Sequence, residues 1–258
     1  MSQPLRILVS NDDGIDAPGL RALVRALCEV GEVAVVAPDR ERSAVSHAIT
    51  MTDPLRAVPR EIEGCRGWAV SGMPADCVLL GARELLPAPP DIVASGINRG
   101  ANLGEDVWYS GTVSAAVQGG LLGVPSVAFS VANLDFEPID YRAAAAWAQR
   151  LVPVAARYLS ADVVLNINVP NRPPEEVTEL QVCRQGRREY RTTFERRTDP
   201  RGGAYYWLGA DLPLDPAIPG GDVTALRAGK VTVVPVRLDL TATAALEPLR
   251  GWLEEGLE

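Results

Sequence analysis

Apolar and polar positions alternate along the first two thirds of the chain with two different periods. Leu5–Ser10 (LRILVS) is an apolar run of strand length. In Pro18–Val30 the apolar residues Leu20, Leu23, Val24 and Leu27 recur at helical spacing, with Pro18 near the start and Gly31 just past the end. The same alternation continues with strands at Glu32–Ala37, Asp91–Ser95, Ser126–Ser130 and Val163–Asn168. Between them, helices are predicted at Pro74–Leu86, Thr112–Leu122 and Tyr141–Leu159. Continuously apolar strands alternating with amphipathic helices predict a mostly parallel sheet covered on both faces, with right-handed crossovers. This is the pattern of a doubly wound, Rossmann-like α/β domain, here expected over residues 1–170.

After Pro170 the pattern changes. Residues 171–176 (NRPPEE) read as a breaker-rich linker. Tyr190–Phe194 and Ala204–Leu208 resemble two arms of an antiparallel hairpin. Val231–Pro235 is one further strand, and Ala242–Leu257 a closing helix. Residues 171–258 are therefore expected to form a C-terminal extension, with the hairpin arm, strand and helix used in oligomerisation.

Composition narrows the function classes. A formal charge of −8 argues against sequence-independent binding of a nucleic-acid polymer, which needs a positive surface. Apolar runs fall short of the roughly 20 residues that span a bilayer, so no membrane association is expected, and the N-terminus lacks a signal-peptide pattern. A cytoplasmic protein is expected. The four cysteines form no C-x-x-C pair and suggest neither zinc nor a disulfide framework. His47 is the single histidine, which nearly closes off multi-histidine metal designs and favours a structural imidazole. Neither a Walker loop nor G-x-G-x-x-G follows the first strand, which points away from NTP-driven motors and from NAD.

The candidate chemistry sits where ligands bind in such a sheet, beyond the carboxyl ends of the strands. The first strand runs into Ser10-Asn11-Asp12-Asp13-Gly14. Adjacent carboxylates at a strand end repel one another, and a divalent cation with oxygen ligands relieves that; the same residues also favour turns. The second strand runs into a loop with Arg40, Arg42, Ser43 and Ser46. These can bind phosphate or make surface ion pairs. The third loop spaces Gly96, Gly100 and Gly104 by four, with Asn98 and Asn102 between them, and leads through Ser110, Gly111 and Thr112 into a helix. Backbone amides, glycines and hydroxyls at a helix entrance make a phosphate cradle, though Ser and Thr there are also ordinary caps.

These segments in this order, from Ser10–Gly14 and Ala37–Arg40 with Ser43 to Ser95–Asn98, Asn102–Gly104 and Tyr109–Thr112, resemble the survival protein SurE family of nucleotidases. Asn166–Pro170, Asp199–Gly202, Tyr206-Trp207 and Asp239–Ala242 extend the likeness over most of the chain. The resemblance implies hydrolysis of nucleoside 5'- and 3'-monophosphates, and of short polyphosphate in some members. It implies one divalent ion per subunit, Mg²⁺ or Mn²⁺, held by Asp12, Asp13, Ser43 and Asn98. It places substrate phosphate on Asn102, Ser110, Gly111 and Thr112, with Gly14 beside them. It implies a homodimer or homotetramer with exchanged C-terminal elements. Some members carry a His after the D-L-T-A segment where this chain has Thr243, so that contribution does not transfer.

A metal that polarises the phosphoryl group, with Asp12 or Asp13 as general base, is the mechanism expected. Two rival readings are a haloacid-dehalogenase-like phosphatase with an Asp nucleophile, whose D-x-D-x-[TV] motif is not cleanly supplied, and a non-catalytic nucleotide-binding sensor.

Overall fold

The computed structural model describes residues 4–133, 138–190, 192–210 and 215–257. Arg191, inside the expected Tyr190–Phe194 strand, lies outside them. The strands are β1 (Arg6–Ser10), β2 (Glu32–Pro38), β3 (Ala57–Ile62), β4 (Cys65–Val70), β5 (Ile92–Arg99), β6 (Ser126–Ala132), β7 (Val163–Pro170), β8 (Leu180–Val182), β9 (Thr192–Thr198), β10 (Ala204–Ala210) and β11 (Val231–Arg237). The helices are α1 (Pro18–Leu27), α2 (Pro74–Leu80), α3 (Gly111–Leu121), α4 (Arg142–Tyr158), α5 (Asp222–Arg227) and α6 (Leu246–Leu257).

Nine strands form one sheet in the order β3-β4-β2-β1-β5-β6-β7-β11-β8, while β9 and β10 pair separately as an antiparallel hairpin. The run from β4 to β7 is parallel, and β3 and β11 join it antiparallel. The doubly wound reading therefore holds, with antiparallel additions at both sides. β11 and β8 show that the chain beyond Pro170 contributes strands to the main sheet.

Strand residues point alternately to opposite faces, and the core divides accordingly. Ile7, Val9, Val35, Ile92 and Ala94 pack with Leu20, Leu23 and Leu27 of α1 and with Ala144, Ala148 and Val152 of α4. Leu8, Val36 and Val93 face the other way, towards Cys77 and Val78 of α2 and Ala115 of α3. Fully burying a Leu or Val side chain contributes about 1.5–3 kcal/mol, so both helical layers are held mainly by this double-sided burial.

The predicted strand at Asp91–Ser95 is longer than expected. β5 continues to Arg99, with a register irregularity against β6 between Ser95 and Asn98. Gly96, Ile97 and Asn98, read as loop, thus belong to the strand end. The β3–β4 hairpin, β8 and α5 were not predicted.

Candidate active site

β1, β2 and β5 lie side by side, so their carboxyl ends share one rim. Buried β1 delivers Asn11, Asp12 and Asp13 there. The turn is closed locally: Asn11 Nδ2 donates to Gly14 O at 2.9 Å, and Ile15 N to Pro38 O at 2.8 Å. Gly14 has φ +97°, and a Cβ on it would meet the Arg40 carbonyl carbon at 3.0 Å. Only glycine takes that backbone conformation readily while letting the second loop approach so closely. Arg42 N then donates to Asp12 O at 2.7 Å, tying that loop to the carboxylate pair.

Asp12 is only 5% exposed. Its Oδ1 accepts a short hydrogen bond from Thr112 Oγ1, and the same hydroxyl oxygen lies 3.2 Å from Asn98 Oδ1. Gly111 completes the enclosure, because a Cβ there would meet Asp12 Cβ at 2.7 Å and Oδ2 at 2.9 Å. Asp13 is half-buried, and its Oδ2 accepts from the Arg99 amide at 3.1 Å. Burial pushes the Asp12 carboxyl up to about 6; the Thr112 hydrogen bond opposes this and the Asp13 charge adds to it. Asp13 is also raised, first by burial, then by Glu41, with the Arg99 amide opposing.

Thus Asp12, Asn98, Gly111 and Thr112 converge, and Asp13 joins them through Arg99. Ser43 is carried to the same rim beside Arg42, but its hydroxyl donates to Glu41 Oε1 at 2.6 Å. Ser110 caps α3 by accepting from Val113 N at 3.1 Å. In the first turn of a helix the Gly111 and Thr112 N–H groups have no intrahelical acceptor; that of Thr112 is directed at the Asp12 carboxylate, which leaves that of Gly111 for an anion. His47 is hydrogen-bonded to Gln118 of α3, and desolvation lowers its pKa.

Asn102 is placed differently from its neighbours in the loop. Its Nδ2 donates to Ser130 Oγ at 2.8 Å and its amide to Asn168 Oδ1 at 2.8 Å. Its carbonyl accepts from Asn166 Nδ2 at 2.7 Å and Asn168 Nδ2 at 3.0 Å. The glycine loop is therefore anchored to β6 and β7. A second anchor is Asp222, which accepts from the amides of Gly104 (3.1 Å) and Gly186 (2.8 Å). Sequence reasoning assigned no function to Ser130 or Asp222. The Asn-x-Asn alternation in an otherwise apolar strand was the available signal for Asn166 and Asn168.

The donors at the rim suit a hard divalent ion. Two carboxylates, an amide oxygen and a nearby hydroxyl supply oxygen only. Ser10 Oγ, Asn11 Oδ1 and Ser95 Oγ are buried at the same strand ends and have no protein partner among the described residues. Among those residues no three His, Cys, Asp or Glu side chains gather as a metal cage; the rim instead offers the carboxylate pair and completes its donors with amide and hydroxyl oxygens.

Known proteins align with this architecture. The family model described as survival protein SurE matches residues 7–192. A 5'-nucleotidase SurE of Heliobacterium modesticaldum is 47% identical over 255 residues, covering 98% of this chain and 93% of the relative. One of Geobacter sulfurreducens is 49% identical over 249 residues, covering 96% and 94%. The crystal structure of the SurE protein from Aquifex aeolicus superposes with a TM-score of 0.82 at 41% identity, covering 96% of this chain and 99% of that one.

Proposed function

Since this chain belongs to the survival protein SurE family, we infer that it is a 5'-nucleotidase, an enzyme that releases phosphate from nucleoside monophosphates, and that its chemistry takes place where Asp12, Asn98 and Thr112 meet. The observation that carries the site assignment is the enclosed Asp12 carboxylate, bonded to Thr112 at the start of α3.

Asp12, Asp13, Asn98 and Ser43 would hold one Mg²⁺ or Mn²⁺, with Ser43 turning from Glu41. When bound, such an ion polarises a phosphoryl oxygen and helps deprotonate water. The rest is done by the chain. Thr112 holds Asp12 in one orientation, so the charge that faces the substrate is preorganised. The Gly111 amide and the Ser110 hydroxyl receive the equatorial phosphate oxygens, beside the Thr112 amide that serves the Asp12 carboxylate. Asn102 acts on that cradle from behind, as the knot that keeps the glycine loop against β6 and β7. A carboxylate of the pair, Asp13 or Asp12, takes the proton from the attacking water. Both 5'- and 3'-monophosphates are proposed substrates, with short polyphosphate in addition.

The exposed apolar side chains of the hairpin (Phe194, Trp207, Leu208) and of α6 (Trp252, Leu253) fit a homodimer or homotetramer that exchanges C-terminal elements. Among the described residues no helix is long and apolar enough to cross a membrane. The cytoplasm is the proposed compartment, and the four free thiols suit it.

The test is phosphate release from a panel of nucleoside 5'- and 3'-monophosphates with Mg²⁺, Mn²⁺, and chelator. Release with either ion and none with chelator is expected. Nucleotide binding without phosphate release would replace the enzyme with a sensor, and a trapped aspartyl phosphate would replace the proposed water attack with an Asp nucleophile.

A further inference from the structure

The fold brings together two cysteines that lie far apart in the chain. Cys28 caps the C-terminus of α1, where its amide donates to Val24 O at 2.9 Å. Cys65 is the first residue of β4, directly after a turn in which Glu63 and Gly64 have φ +52° and +78°. Their Sγ atoms are 2.7 Å apart, so only a small movement separates the thiols from the roughly 2.05 Å of a bond.

Independent contacts hold the two backbones in this relation. The Glu63 carboxylate, two residues before Cys65, accepts from Arg21 at 3.3 Å and pairs with Arg25 at 3.0 Å, both from α1. The helix end and the β3–β4 turn are thus clamped by ion pairs on one side of the sulfurs. Both thiols can be reached: Cys28 is exposed and Cys65 partly so, whereas Cys77 and Cys183 are buried.

We propose that Cys28 and Cys65 form a dithiol modification site that closes to an intrachain disulfide when a small-molecule disulfide reaches it. A thiolate of the pair attacks the oxidant's S–S bond and releases one thiol. The second thiolate then attacks the mixed disulfide and releases the other. Two protein thiols are oxidised, the oxidant is reduced to two thiols, and the protons pass to the leaving sulfurs. Burial and the neighbouring Cys65 push the Cys28 thiol up, so its share of thiolate, and with it the rate of exchange, rises as the buffer is made more alkaline.

The pair lies at the opposite end of the sheet from the nucleotidase site. β4 starts at Cys65 and runs parallel to β2, as β1 does, and it is the far end of β1 that leads to Asp12. The bond would staple the edge hairpin β3–β4 to α1 and leave the rim alone. It therefore forms or fails to form whatever the substrate of the enzyme is.

The full-length protein is incubated with glutathione disulfide, denatured, alkylated and digested. From four free thiols, two are expected to be lost, with Cys28 and Cys65 recovered in one cross-linked peptide lighter by two hydrogens. Dithiothreitol restores them, and phosphate release is unchanged. Cys28→Ser and Cys65→Ser each lose the cross-link and instead hold a stable glutathione adduct on the remaining partner. Stable adducts on both residues of the unaltered protein would overturn the proposal. So would four intact thiols after an exposure that closes a control dithiol peptide.

Discussion

At the scale of single residues, the site depends on a carboxylate kept charged where it is poorly hydrated. Asp12→Asn removes one of the two charges that would hold the ion, and kcat/KM is expected to fall by at least about 10²–10³, the loss seen when a preorganised electrostatic group is removed. Stability should respond in the opposite sense. The folded-state pKa of Asp12 is raised to about 6, so its protonation stabilises the metal-free fold fully below about pH 4, and that contribution is lost as pH rises through 6. It amounts to about 3 kcal/mol. In denaturant titrations of chelated protein from pH 4 to 7, the Asn variant should lack this slope and be the more stable form at pH 7. An unchanged difference between the two proteins across that range would contradict the buried carboxylate. Gly111→Ala puts a methyl group 2.7 Å from Asp12 Cβ; activity should be lost together with a clear fall in Tm, and a variant with unchanged activity and Tm would show that this close approach is not needed. Thr112→Val removes the hydroxyl that orients Asp12, and Thr112→Ser keeps it. Recovery of most of kcat in the Ser variant alone is expected, and equal activity in both would show that the hydroxyl is not used.

At the scale of elements, the glycine loop is rigid because other elements hold it. Asn102 ties it to β6 and β7, and Asp222 at the start of α5 ties Gly104. Just beyond, Arg188 pairs with Asp106 at 2.6 Å and with Asp215 at 3.1 Å, and Tyr190 donates to Asp106 at 2.7 Å. Arg188 and Asp215 are almost wholly enclosed. Arg188→Ala takes from Asp106 its ion-pair partner, while Asp215 keeps Arg227 at 2.7 Å; removing one partner of a buried pair costs about 3–5 kcal/mol. Urea titration should show a loss of that size. A loss under about 1 kcal/mol would place the pair with ordinary surface bridges. These anchors were hard to read from sequence. Asn166 and Asn168 stand out in VVLNINVP as polar residues on one strand face, but their partner Asn102 lies more than 60 positions away. The β3–β4 hairpin was missed because Pro59 interrupts its alternation; β3 is an edge strand, where a proline costs no ladder bond. α5 spans six residues and β8 three, too short to show a period.

At the scale of the molecule, the doubly wound sheet was legible because buried parallel strands and amphipathic helices leave different repeats in the chain. The carboxylate pair was legible as well, since Asp12 and Asp13 follow the first strand directly. What sequence could not supply was enclosure: Gly111 against Asp12 and Thr112 between Asp12 and Asn98 are contacts across about a hundred positions or fewer, made only by the fold. The C-terminal part shows the reverse case. α6 has no buried residue within one chain, and Trp252 and Leu253 are 67% and 59% exposed. A double Trp252→Asp, Leu253→Asp variant is expected to shift the mass measured by light scattering towards the monomer. An unaltered assembly would exclude this helix from the interface.

The central position of β1, between β2 and β5, also governs when the catalyst can first exist during synthesis. A nascent polypeptide carries Asp12 and Asp13 early, but Asn98 and Thr112 emerge from the ribosome some hundred residues later. Until then the acidic pair has no neighbouring strand on the β5 side and no helix entrance facing it, so half-made chains lack the assembled pocket.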